Sequence, residues 1–314
     1  MDRKIPLLVI TGPTASGKTR LSIDLARCYH GEIVCADSMQ IYKEMQIATA
    51  KPTAEEMQDI PHHLFDFLSL DEEYSVAQYC AKAKEAIADI SSRQKLPMLV
   101  GGTGLYINSL IDNVNFEKIK TDPQLRQNLQ GLAQEKGNDA LFAILQKIDP
   151  LLCEKLHPNN VGRVIRAIEV YQTTGIPMSE MQKRAKEKES QYQLCMIGIA
   201  YADRQKLYDR VNLRVDQMLE MGLLEEAKDI LSRGDLKTAR QAIGYKELKG
   251  YIDGQISYQE AVENLKRETR RYAKRQLTWF RRDQRIQWIL PDTLHGYDEV
   301  FRSAQRILEK SGIL

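Results

Sequence analysis

Cysteine is scarce in this 314-residue chain, and the five present (Cys28, Cys35, Cys80, Cys153 and Cys195) include no Cys-x-x-Cys pair. That argues against both a zinc ribbon and a secreted disulfide framework, so a cytoplasmic location is expected. No stretch approaches the roughly 18 to 20 apolar residues of a membrane span. The N-terminal MDRKIPLLVITGPT places basic residues before a short apolar run, but that run leads into a glycine loop instead of a small-residue cleavage site. A strand is expected there, not a signal peptide. Charge of one sign is also missing: the net charge of +2 is too small to point to a nucleic-acid partner by itself. Internal repeats and low-complexity segments are absent, and the paired His62 and His63 have neither metal-ligand spacing nor nearby cysteines. What remains, 43% hydrophobic and 28% charged residues, fits a folded protein with a full core.

Four short apolar runs look like buried parallel strands: LLVI (Leu7 to Ile10), EIVCA (Glu32 to Ala36), MLVG (Met98 to Gly101) and CMIGI (Cys195 to Ile199). Helical patterns separate them, and the alternation implies an α/β fold built on a parallel sheet. From about residue 116 to 190 no strand is expected; DPQLRQNLQGLAQ, NDALFAILQKI and NVGRVIRAIEVYQ read as helices. This predicts a P-loop core of residues 1–115 and 191–314 interrupted by a helical insertion domain of residues 116–190. After the fourth strand the chain is expected to be helical almost to its end, near Asp203 to Met221, Leu223 to Arg233, Ser257 to Trp279 and Tyr297 to Lys310.

GPTASGKT, comprising Gly12, Pro13, Thr14, Ala15, Ser16, Gly17, Lys18 and Thr19, matches the P-loop pattern, with a strand before it and a helix after it. Backbone amides and the helix N-terminus can surround a di- or triphosphate, with Lys18 as a mobile charge and the Thr19 hydroxyl open to Mg²⁺. The third strand, however, ends in LVGGTG and not in the acid of a nucleotide triphosphatase. The acid at a strand's C-terminal end is Asp37, for which three roles fit: a magnesium ligand, a general base, or a cap for the next helix. Thr103 in GGTGLY should approach the same crevice.

Two helices carry further signals. Advancing by about 100° per residue from Leu207 puts Arg214 at about −20°, inside the stripe of Val211, Val215 and Met218. A guanidinium there requires an anion, either a core carboxylate or a bound phosphate. Arg210 falls at the stripe's edge. From Asn264 to Arg285 nine Lys or Arg stand against Glu268 and Asp283. Val262, Leu265, Thr269, Tyr272, Gln276 and Phe280 trace one face, while Arg267, Arg270, Arg271 and Lys274 occupy another. That second face is either simply solvated or a rail for nucleic-acid backbone, with Arg163 to Arg166 of the insertion as an opposite wall.

Taken together, GPTASGKT, ADSMQIY, PHHLFD, GGTGLYINSL, HPNNVGRVIRAIEV, GLLEEA, QAIGYKEL and TRRYAKRQLTWFR run in order along nearly the whole chain. They resemble the tRNA dimethylallyltransferases, or tRNA isopentenyltransferases, in their bacterial form. The resemblance implies that the loop holds the diphosphate of dimethylallyl diphosphate, the leaving group, and that the allyl group passes to N6 of the adenine 3′ of the anticodon. Asp37 would take the amine proton, while Lys18, Thr19, Arg214, Thr103 and Mg²⁺ serve the reacting centre. It also implies that Asp37, Ser38, Met39 and Gln40 meet a flipped adenine. Contacts to the tRNA anticodon stem-loop would come from Thr103, Arg126, Gly162, Arg163, Val164, Ile165 and Arg166, and from Arg240, Gln241, Ala242, Ile243, Gly244 and Tyr245. Gly162 stands where a longer polar or basic residue is common in the family. A monomer fits two domains forming a channel. The competing expectations are an adenylate dimethylallyltransferase acting on free AMP, ADP or ATP, a small-molecule kinase, and a P-loop tRNA-binding protein without catalysis.

Overall fold

Six parallel strands run β1 (Ile5–Thr11), β2 (Gly31–Cys35), β3 (His62–His63), β4 (Leu96–Gly101), β5 (Tyr192–Ile199) and β6 (Ile286–Ile289), in spatial order β3-β2-β4-β1-β5-β6. The computed structural model describes residues 4–114, 122–186, 190–234, 236, 238 and 241–314. It divides into two compact units, Met1–Leu110 with Gln191–Leu314, and Ile111–Ser190. Among the described residues no helix is long and apolar enough to cross a membrane.

The four strands expected from the sequence are all present, and two short edge strands are added. β3 pairs its two residues with Ile33 and Val34, and β6 pairs Ile286 with Met196 and Ile289 with Ile199. The chain after β5 is therefore not simply helical. Runs of two and four residues are too short to show a strand period, and β6 does not alternate cleanly between buried and exposed positions.

β1 is central because both its faces are apolar. Leu7, Leu8, Val9 and Ile10 have no exposure, and their pairing with β4 and β5 places Leu8 between Met98 and Cys195. Leu8 and Ile10 point toward Leu21 and Leu25 of the Lys18–Cys28 helix and Val300, Ala304 and Leu308 of the Tyr297–Lys310 helix. Because β4 inserts between β1 and β2, the loops leaving β1, β2 and β4 gather at the carboxyl edge of the sheet, the ligand-binding edge of such folds. A second cluster packs the Arg204–Glu220, Leu223–Ser232, Tyr245–Ile252 and Tyr258–Phe280 helices against Ile41, Tyr42, Met45, Leu68 and Leu70. It anchors the long segment after β2.

The unit Ile111–Ser190 contains helices only among its described residues, built around Leu129, Leu141, Leu145, Val164, Ile165 and Ile168. Its helix starts are written locally. Asp122 caps Gln124 and Leu125 ahead of Pro123, and Asp149 caps Leu152 ahead of Pro150. The second oxygen of Asp149 accepts from Ser179 N at 2.8 Å, tying the Met178–Lys186 helix to the same point.

Candidate active site

The phosphate loop starts where β1 ends. Gly12 has φ +145°, and a Cβ there would lie 2.4 Å from the Ile199 carbonyl oxygen, so only glycine fits between β1 and β5. The Lys18–Cys28 helix begins after Gly17, presenting amides that lack intrahelical acceptors. Lys18 Nζ donates to Gly12 O at 2.9 Å and Pro13 O at 2.7 Å. Burial pushes its ammonium down to about 7, with Arg214 adding to the shift and Asp37 opposing it. An arriving diphosphate favours the ammonium and raises that pKa. Affinity for diphosphate should therefore be fully supported by Lys18 below about pH 7, fall as pH rises above that, and lose the support once pH passes the raised pKa of the complex. Calorimetry of diphosphate binding in buffers of different ionisation enthalpy checks this: wild type should take up a proton near pH 8 that Lys18→Arg does not.

The loop is braced from an unexpected side. Gln276, 6% exposed on the Tyr258–Phe280 helix, accepts from Thr14 N at 2.8 Å and donates to Gly102 O at 3.0 Å. Thr14's amide is thus already used inside the protein and is not free for a phosphate. A Cβ on Gly102 would meet Gln276 Nε2 at 2.2 Å, which explains that glycine. In sequence Gln276 falls on the apolar face of its helix, where its polarity, like that of Arg214, signals a buried partner. Gln276→Leu should cost about 1–3 kcal/mol for each buried group left unpaired, read by urea unfolding.

Asp37 lies two residues beyond β2. One oxygen, Oδ1, accepts from Met39 N at 3.0 Å, and the other accepts no bond from a described residue. The capping turn and an available oxygen therefore coexist. Thr103 accepts from Ser38 N at 2.9 Å, and its hydroxyl lies 3.3 Å from Ser38 Oγ; its own amide donates to Ala36 O at 3.0 Å. It stitches the β4 loop to the Asp37 turn and does not line the cavity described next. Gly101 permits this approach, since a Cβ would sit 2.1 Å from Ala36 O.

A cavity of about 370 Å³ extends from Lys18 and Thr19 past Asp37, Ser38, Met39 and Gln40 to Gln241, Ala242 and Ile243. Its walls include Thr269, Tyr272 and Arg275. A wider groove of about 810 Å³ opens past Ser16, Gly17, Lys51, Glu56 and Arg210, and the two share Lys18, Thr19 and Arg214. Arg214 makes no ion pair with any described residue; its NH2 reaches the Ala50 carbonyl at 3.3 Å. The core carboxylate that would explain it structurally is missing among the described residues. Burial pushes its guanidinium down, Glu56 and Asp37 pull it back up, and Arg210 adds to the fall. Arg210 itself donates to Ala15 O at 3.0 Å. Gln40 Nε2 donates to the carbonyls of Thr49 and Ala50 at 3.0 and 3.2 Å, fixing that side of the cavity.

Several of the residues expected to contact RNA are buried or engaged within the protein. Tyr245 is fully buried and donates its hydroxyl to Glu226 Oε1 at 2.8 Å. Glu226 in turn accepts from the amides of Gln46, Ile47 and Ala48 at 2.9, 2.8 and 2.9 Å. The pair therefore shapes the loop behind Ala48 to Ala50 from inside the protein. Glu226 lies in the GLLEEA segment, but its spacing marks it only as an acid in a helix's first turn and not as the partner of these amides. Ala242 is 4% exposed, and Gly244, at φ +115°, starts the Tyr245–Ile252 helix by donating to Glu247. Arg240 lies outside the described residues. In the insertion Val164 and Ile165 are buried, at 0% and 3% exposure, because they form the core side of the Val161–Thr174 helix. Gly162 and Arg163 are exposed, while Arg126 and Arg166 both bond Glu169. The basic helix is partly neutralised: Arg267 and Arg271 lean on Glu268, Lys266 pairs Asp216, and Arg270 bonds Asn212. Lys274, Arg281 and Arg282 are exposed without an ion pair to described residues.

The model of the IPP transferase family matches residues 40–283. A tRNA dimethylallyltransferase of Halothermothrix orenii is 52% identical over 303 residues, covering 96% of this chain and 92% of the relative. The crystal structure of a full-length tRNA isopentenylpyrophosphate transferase from Bacillus halodurans superposes with a TM-score of 0.73 at 43% identity, covering 98% of this chain and 97% of that one. That of a eukaryotic dimethylallyltransferase acting on tRNA superposes with a TM-score of 0.75 at 32% identity, covering 88% and 70%. Sequence and fold similarity over nearly the full length agree, and this chain belongs to the IPP transferase family.

Proposed function

We propose that the chain transfers the dimethylallyl group of dimethylallyl diphosphate to N6 of the adenine immediately 3′ of the anticodon in tRNA. The observation that carries this reading is the cavity joining a phosphate loop to Asp37, with Arg214 partly buried on the same wall as Lys18 and without an ion pair to any described residue. A partly buried guanidinium and a depressed ammonium at the end of a phosphate loop are arranged for the charge of a departing diphosphate. The relatives' names specify tRNA, which favours RNA over free AMP as the acceptor.

In the proposed step the N6 lone pair attacks the allylic carbon, the carbon–oxygen bond breaks, and diphosphate leaves with the electron pair. Adenine's amine is a poor nucleophile because that lone pair is shared with the ring, so removal of its proton by the free oxygen of Asp37 assists. Lys18 and Arg214 balance the charge on the leaving group. Gln276 and Thr103 hold the two loops so that acceptor and donor sites keep their separation. Exposed Lys274, Arg281 and Arg282 suit RNA phosphates.

Among the described residues no group of three or more His, Cys, Asp or Glu could form a metal cage. The donor present, the Thr19 hydroxyl at the helix start, fits Mg²⁺ that arrives with the diphosphate, because Mg²⁺ keeps waters and takes few protein oxygens beside phosphates. Bound there, the ion supplies further neutralisation of the leaving group.

Mass spectrometry of a synthetic anticodon stem-loop tests the reading. The loop should gain one C5 unit when the target base is adenine and none when it is a purine lacking the exocyclic amine. Equal gain by both would overturn N6 as the acceptor.

A further inference from the structure

The insertion carries a buried acid that the chemistry above does not use. Glu169 has 0% exposure on the Val161–Thr174 helix. Its Oε2 accepts from Arg126 NH2 at 2.9 Å and from Arg166 NH1 at 2.8 Å, while Oε1 is buried without a partner among the described residues. Burial works against the ionised carboxyl, yet the bonds from Arg166 and Arg126 outweigh it and hold Glu169 below the usual carboxylate range.

The arrangement follows from local sequence. Val164, Ile165, Ala167 and Ile168 point into the insertion's core, which sets Glu169 inside and leaves Arg166, three residues earlier, at the rim. Arg126 comes from the Pro123–Lys136 helix, whose start is fixed by the Asp122 cap. The two arginine side chains remain 45% and 37% exposed. Each guanidinium has five N–H donors and spends one on Glu169. A carboxylate placed only to neutralise an arginine would engage both oxygens in a fork. Here one oxygen serves both cations, which brings two forks side by side despite their repulsion and leaves one net positive charge at the surface.

We infer that Glu169 is a positioning residue that presents Arg126 and Arg166 as a preformed pair gripping a nucleic-acid phosphate. This rests on the reading of the chain as a tRNA-modifying enzyme. The buried anion fixes two long side chains before RNA arrives, so less rotamer freedom is lost on binding. Arg163, exposed on the same helix, does not share this anchor.

The test uses the full chain with a synthetic anticodon stem-loop and dimethylallyl diphosphate. Glu169→Gln keeps the shape and removes the charge. It should raise KM for the stem-loop about tenfold, with kcat at saturating RNA and KM for dimethylallyl diphosphate within about twofold of wild type. Arg126→Gln, which leaves Glu169 paired with Arg166, guards against misfolding of the first variant and should raise the same KM. In Arg126→Gln the slope of log affinity against log salt should also drop by roughly one. A fall in thermal stability with KM for RNA and salt slope unchanged would make Glu169 structural only and overturn the inference. Wild-type enzyme that transfers to the stem-loop beside unaffected variants overturns this inference alone, whereas a wild type inactive on any RNA removes the proposed function with it.

Discussion

Asparagine in place of Asp37 should lower kcat by about 10²- to 10⁴-fold while leaving affinity for dimethylallyl diphosphate nearly unchanged. The asymmetry follows from the two oxygens. Oδ1 accepts from Met39 N at 3.0 Å, and the amide oxygen of asparagine can keep that bond, so the turn survives. The other oxygen, which no described residue bonds, becomes an NH2 that cannot take a proton. Single-turnover transfer and calorimetric titration with dimethylallyl diphosphate separate the effects. A loss below about threefold would place the base elsewhere.

Arg214→Ala should reduce kcat/KM by roughly 10²- to 10³-fold, the scale of removing one preorganised donor from a developing anion. Arg214→Lys should recover only part, because a point charge does not reproduce the planar fork. The variant carries a second signature. Arg214 helps hold Lys18 down at about 7, so its removal lets the ammonium rise. The Lys18-dependent loss of diphosphate affinity should then move to higher pH than in wild type. A pH profile of binding for the two proteins reads this shift, and coincident profiles would show that the two cations do not sense one another.

Much of this site was legible in the sequence because it rests on local rules. A glycine loop between strand and helix, an acid just past a strand, and an arginine at an apolar angle of a helix each announce themselves within a few residues. What stayed hidden depends on partners far along the chain. Gln276 reaches Thr14 and Gly102, separated by 262 and 174 residues, and Glu226 reaches the amides of Gln46, Ile47 and Ala48. Neither spacing nor periodicity records such contacts. Tyr245 and Val164 show the opposite difficulty. They lie in motif segments implied to touch RNA, but a motif does not say which of its side chains face inward, and these two are fully buried. The edge strands β3 and β6 escaped because two or four residues carry no readable period.

The most direct test of the central claim, that the phosphate loop holds a leaving diphosphate and not a nucleotide being hydrolysed, is to follow labelled dimethylallyl from its diphosphate in the presence of an unmodified anticodon stem-loop, AMP and ATP together. The account predicts label on the stem-loop alone, diphosphate released in equal amount, and ATP untouched. Label on AMP or ATP, or ATP consumed with no label transferred, would contradict it.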